Sequence, residues 1–301
     1  KMANGIADDL ISTTLLATPR PIVIAPAMNN GMWKAPATQA NMATLRERGV
    51  HVVGPGSGYL ACGDVDTGRM SEPEDIVEAV CEVLKPVPQD LAGKRVVITA
   101  GPTHESIDPV RFIGNRSSGK MGIALAGEAA RRGAAVKLVL GPTSLDVPRG
   151  VECVRVQTAA EMLQAALSAF QTADAAICAA AVADYTPATP ADHKLKKANE
   201  RLDRIELVET VDILAELSRQ KGERCVIGFA AETDNVVEYA ERKLARKGCD
   251  AIIANDVSRA DSGFGTDTNK AWIVSTTGTQ ELPVLTKPQL ADTILDLLQN
   301  L

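Results

Sequence analysis

Three glycines, two serines, an asparagine and two cations fall within the nine residues Gly114-Asn-Arg-Ser-Ser-Gly-Lys-Met-Gly122. That mixture suits an anion. Glycines let a backbone approach a ligand closely, and the N–H groups and positive end of a helix start receive phosphate. Arg116 and Lys120, with Arg111 just upstream, add charge. Gly114, Ser117, Ser118, Gly119 and Lys120 are therefore candidate nucleotide-binding residues. The same string also suits an unliganded Gly-rich turn ahead of an ordinary helix. Two standard phosphate motifs nearly fit and fail. GxxxxGK matches Gly114 to Lys120, but Met121 stands where a P-loop places Ser or Thr on Mg²⁺. GxGxxG does not occur here, and no acidic residue follows the next strand to hold a ribose.

Further candidates end other apolar runs. Ala179-Ala-Ala-Val-Ala-Asp-Tyr185 combines small residues with one carboxylate. Ala180 could let a flat base or an acyl chain lie on the backbone, and Asp184 could hold a ribose hydroxyl or Mg²⁺. Close strand–helix packing with an Asp turn explains the string equally well. Lys194, Lys196 and Lys197 form either a solvated face or a cluster that neutralises a triphosphate. In Gly228-Phe-Ala-Ala-Glu-Thr233, Phe229 and Ala230 could receive a base, or Phe229 could be core. Asn255-Asp256 ends the next run in the same way. Nearer the start, Asn29 and Cys62 lie in loops where they could orient a substrate and donate a proton. As isolated residues they read as a turn former and an inert thiol.

The elements that must position these groups alternate as βαβ units around a parallel sheet, an α/β fold. In the first segment the pattern predicts strands at Pro21–Ala25 and Val50–Val53, with helices at Thr38–Arg48 and Pro73–Leu84. Lys1–Leu10 reads as the middle of a helix, which predicts a chain that begins inside a domain. The polar stretch Lys85-Pro-Val-Pro-Gln-Asp90 cannot continue a helix and marks a boundary between residues 1–86 and 87–301. Beyond it the pattern predicts strands at Lys94–Ala100, Ala135–Leu140, Ala173–Ala181, Arg224–Ala230, Asp250–Ala254 and Ala271–Ser275. It places helices at Ser118–Arg132 (capped by Ser117 or Ser118), Ala159–Thr172, Val211–Gln220, Asn235–Lys247 and Lys287–Leu298. The 301 residues carry a net charge of −6, which argues against broad nucleic-acid binding. Six scattered cysteines without a CxxC pair suit a reduced cytoplasm rather than a disulfide or zinc framework. No apolar run is long enough for a membrane span.

The motifs PAMNNGMW (Pro26–Trp33), GYLACGDVDTGRM (Gly58–Met70), AGPTHESIDPVRFIGNRSSGKMG (Ala100–Gly122), AAVADYTPA (Ala180–Ala188), KLKK (Lys194–Lys197) and GFAAET (Gly228–Thr233) occur in this order along the whole chain. Together they resemble the bacterial bifunctional phosphopantothenoylcysteine decarboxylase/phosphopantothenate–cysteine ligases of coenzyme A biosynthesis. The resemblance implies a Rossmann-like ligase domain over residues 87–301, preceded by the later part of a flavodoxin-like flavoprotein domain. It implies a ligase using Mg²⁺ and CTP to join 4′-phosphopantothenate to L-cysteine through an acyl-cytidylate. Asn115, Lys194 and Arg111 match the ligase's catalytic groups. Asn29 and Cys62 match the decarboxylase's substrate-binding Asn and proton-donating Cys. The family's upstream FMN-binding strand-loop and catalytic histidine have no counterpart, so a decarboxylase segment inactive alone and without FMN is expected. His104 stands where many members carry Arg. Pairing of the ligase halves as homodimers is implied as well. A dinucleotide-dependent oxidoreductase and a non-catalytic nucleotide-binding or assembly module are the alternative readings.

Overall fold

The computed structural model describes residues 1–59, 65–84, 87–196, 203–259, 261–263 and 265–299. The chain divides into two units, Lys1–Pro86 and Val87–Leu301. In the first, Asp9 decides where the helix begins. Its carboxylate accepts from the backbone N–H of Ser12 at 2.7 Å and caps α1 (Leu10–Ala17). The expected mid-helix reading of Lys1–Leu10 is thus wrong. Met2–Asn4 is only a short 3₁₀ turn, closed by Gly5 at φ 65°. A two-stranded parallel sheet, β1 (Val23–Ile24) with β2 (His51–Val52), is flanked by α2 (Asn30–Lys34) and α3 (Pro36–Glu47). Ala3, Met42, Leu45 and Val50 make its core. The antiparallel pair β3 (Gly56–Tyr59) and β4 (Val65–Arg69) and the helix α4 (Pro73–Leu84) complete this unit.

The second unit is a doubly wound sheet. Its strands are β5 (Arg95–Ala100), β8 (Ala135–Leu140), β9 (Glu152–Arg155), β10 (Ala175–Cys178), β13 (Cys225–Glu232), β14 (Ala251–Asp256), β15 (Thr268–Ser275) and β16 (Gly278–Thr286). Two short antiparallel pairs interrupt the alternation, β6 (His104–Ser106) with β7 (Phe112–Gly114) and β11 (Tyr185–Pro187) with β12 (Leu207–Glu209). The helices are α5 (Lys120–Arg131), α6 (Ala159–Phe170), α7 (Ile213–Arg219), α8 (Val236–Lys247) and α9 (Lys287–Leu295). The sheet order is β16-β15-β14-β13-β10-β5-β8-β9, antiparallel only at the β14–β15 and β15–β16 pairings.

Side-chain alternation explains the two layers of helices. Val96, Ile98 and Ala100 of β5 join Leu125, Ala126 and Ala129 of α5 and Leu290 and Ile294 of α9. Val97, one residue out of phase, joins Met162 of α6, Leu217 of α7 and Leu244 of α8 on the opposite face. Each fully buried leucine contributes about 2 kcal/mol by area. From β5 the chain winds outward through β8 and β9, then returns to β10 on the other side. The reversal puts a switch point between β5 and β10, where the loops leaving the two strands diverge and leave a crevice.

Candidate active site

The β5–α5 loop and the β10–β11 loop line that crevice, a cavity of about 710 Å³. Gly119 starts the helix. It serves as N-cap at φ 81°, a left-handed conformation that strains any side chain, and α5 begins at Lys120 with no side-chain cap. The expected cap by Ser117 or Ser118 is therefore corrected. Ser117 Oγ accepts instead from Gly119 N–H at 3.4 Å, folding the turn before the helix. Gly122 allows the close approach: a Cβ there would stand 2.3 Å from the Ala100 Cβ, so α5 could not lie so near the end of β5. Gly119 to Gly122, at the start of α5, line the cavity, and first-turn N–H groups have no partner within their own helix.

Asn115 reaches across to the other strand. Its Nδ2 donates to the carbonyls of Ala181 (3.2 Å) and Val182 (2.9 Å). Both partners are acceptors, so the amide orientation is fixed, and Oδ1 has no donor among the described residues. The Ala181–Asp184 segment is itself pinned. Thr103 Oγ1 accepts from Ala183 N–H at 3.0 Å, and Thr210 Oγ1 donates to Ala183 carbonyl oxygen at 2.6 Å. Asp184 is exposed on the rim.

Ser117, Ser118, Gly119, Lys120, Ala180, Asp184, Phe229 and Ala230 all line the cavity with Asn115. Gly114, Arg111, Lys194 and Lys196 do not. Arg111 is engaged with Asp108, whose carboxyl it holds far below the usual carboxylate range, and donates to Leu195 carbonyl oxygen at 2.9 Å. Asp108 also accepts from Leu195 N–H at 3.2 Å. Arg111 is thus the tether of the chain carrying exposed Lys194 and Lys196. Lys197 and Cys62 lie outside the described residues. Asn29, in the first unit, caps α2 by accepting from Gly31 N–H at 2.8 Å.

Several cavity residues were not anticipated. Lys243 and Lys247 come from one face of α8, a spacing of four that sequence alone offers. Lys243 donates to Phe229 carbonyl oxygen at 2.8 Å, and burial holds its pKa below the usual lysine value. Lys247 pairs with Asp212, the cap of α7. On the far side stand Asn269 and Lys287. Burial pushes the Cys178 thiol, also on the wall, up to about 12, so it stays protonated.

The order of domains decides the relationship. The flavoprotein family model matches residues 1–85, and the "DNA/pantothenate metabolism flavoprotein C-terminal domain" model matches residues 91–301. The coenzyme A biosynthesis bifunctional protein CoaBC of Bacillus subtilis is 49% identical over 298 residues, covering 98% of this chain and 73% of that protein. This chain belongs to the CoaBC family. The Escherichia coli CoaBC is 47% identical over 299 residues, with 98% and 73% coverage. The crystal structure of a CoaBC C-terminal domain superposes with a TM-score of 0.60 at 45% identity, covering 70% of this chain and 97% of that one. A variant of Cab2 in complex with phosphopantothenate-cysteine shares the fold at 16% identity (TM-score 0.55; 73% and 89% coverage). CoaBC proteins are enzymes of coenzyme A biosynthesis, and the flavoprotein half implies FMN in the family. Among the described residues no helix is long and apolar enough to cross a membrane.

Proposed function

We propose that the second unit is a CTP-dependent phosphopantothenate–cysteine ligase. The observation that carries the reading is the Asn115 carboxamide, fixed across the switch point beside the open start of α5 in one cavity. The phosphopantothenate carboxylate attacks the α-phosphorus of CTP, forming an acyl-cytidylate and releasing pyrophosphate. The cysteine amine then attacks the acyl carbon, CMP leaves, and the amine loses its proton. Two anions meet in the first step, so α5 N–H groups and nearby lysines stabilise the charge. Asn115 Oδ1 accepts from the incoming amine, and the two carbonyl bonds hold it in place. Phe229 and Ala230 receive the nucleoside, with Lys243 behind them. Lys194, on the tether set by Arg111, approaches the bound nucleotide from the rim.

Mg²⁺ fits this donor set. Asp184, exposed on the rim of the cavity, would hold the ion together with phosphate oxygens of the nucleotide. The ion supplies charge neutralisation to the triphosphate. In the first unit, Asn30 donates to Asp66 at 3.2 Å and Lys34 pairs with the same carboxylate, which ties α2 to β4. The first unit matches the flavoprotein family model over residues 1–85, and the FMN absorbance of the purified chain tests whether it binds the flavin. Asn115→Asp tests the ligase reading: with phosphopantothenate and CTP it should accumulate an acyl-cytidylate detectable by mass spectrometry. Normal turnover without that species removes Asn115 from the mechanism.

A further inference from the structure

Lys287 is in the wrong place for a structural lysine. It is the first residue of α9, where the helix end is already positive and a cation is unfavourable. Only 5% of it is exposed. Its ammonium donates to Gly263 carbonyl oxygen at 3.1 Å and Asn269 Oδ1 at 2.6 Å, both neutral, and no carboxylate lies within ion-pair distance among the described residues. Lys120, the first residue of the neighbouring helix α5, is a second cation and is paired with Asp267 at 2.6 Å. Both lysines line the cavity beside the start of α5. A buried, uncompensated positive charge costs stability unless an anion arrives to meet it.

We propose that Lys287, with Lys120 and the first turn of α5, forms a phosphoryl-binding subsite at this end of the cavity. The inference rests on the ligase reading for the identity of the anion, which is either the polyphosphate of the nucleotide or the phosphate of phosphopantothenate. Lys287 is a binding and positioning residue here. Its charge state bears on the test. Burial, then the neighbouring Lys120, lower its pKa to about 8, with Asp267 opposing. Anion binding restores the full charge, so binding above this pH takes up a proton.

Calorimetric titration of the full chain with CTP, pyrophosphate and phosphopantothenate, each in turn, separates the sources. Lys287→Met should weaken either CTP and pyrophosphate or phosphopantothenate by about tenfold, the range of one charge-assisted bond, and leave the other within twofold. Lys287→Arg should retain near wild-type affinity at pH 7.5. Wild-type affinity for the same anion should fall between pH 7.5 and 9.5, while the Arg variant stays flat. Proton uptake at pH 8.5, read from the buffer dependence of the enthalpy, needs no variant. Unchanged affinity for all three anions in Lys287→Met, or no proton uptake by the wild type, overturns the proposal. Wild-type binding of pyrophosphate without product from CTP would sink the ligase reading and leave the subsite standing.

Discussion

The two ends of the cavity use lysines in the same arrangement with different consequences. At the α8 end, Lys247 pairs with Asp212 while Lys243 bonds the Phe229 carbonyl within β13. At the α5–α9 end, Lys120 pairs with Asp267 while Lys287 bonds a carbonyl and an amide. Each end therefore holds one cation neutralised by a carboxylate and one held ready. Lys243 lies inside a helix beside Phe229, where a nucleoside would rest. Lys287 lies at a helix start beside Lys120, with Asp267 opposing only part of the positive charge there. On the proposed reading, the difference polarises the cavity, with base recognition at one end and phosphoryl recognition at the other.

The largest effect should come from the group that both ends serve. Asn115→Ala should lower ligation turnover by about 100-fold or more, the scale for removing one aligned polar group, with nucleotide affinity within a few-fold by calorimetry. Next, Lys243→Met should weaken CMP and CTP alike by about tenfold, whereas Lys287→Met should spare CMP. Equal losses for CMP in the two variants would erase the polarity.

A stability measurement sharpens the contrast further. A lysine whose folded pKa is depressed penalises the fold while charged. The unfolded chain then binds more protons between pH about 8 and the unfolded lysine value near ~10.4. Ligand-free wild type should thus gain stability relative to Lys287→Met as pH rises through that window, by denaturant titration. A constant difference would show that the charge costs nothing. The smallest effect belongs to Asp212→Asn, which keeps the α7 cap and loses the half-exposed Lys247 pair. About 0.5–1 kcal/mol is expected, read as a small fall in Tm.

Much of this was legible in the sequence because the sheet is buried on both faces. Ala135–Leu140 is an apolar run broken only by Lys137, and the structure gives it those bounds. β16 was missed because it is a largely exposed edge strand containing Pro283, with no apolar run to announce it. β10 was read too long because Ala179–Ala181 remain apolar after the chain has left the sheet to carry the site. Within the site, glycines and strand ends were visible as strings. Lys287 was not, since its meaning depends on a helix end and a loop brought together only by the fold. Ser118 misled for a local reason: Gly119 takes the left-handed cap that serine would adopt only with strain.

The central claim is the ligase chemistry of the second unit. The full chain, incubated with phosphopantothenate, cysteine and Mg²⁺ and given CTP or ATP in turn, can be followed by phosphorus NMR. The account predicts CMP and pyrophosphate appearing together with phosphopantothenoylcysteine, and CTP preferred. Neither nucleotide yielding a monophosphate and pyrophosphate would contradict it.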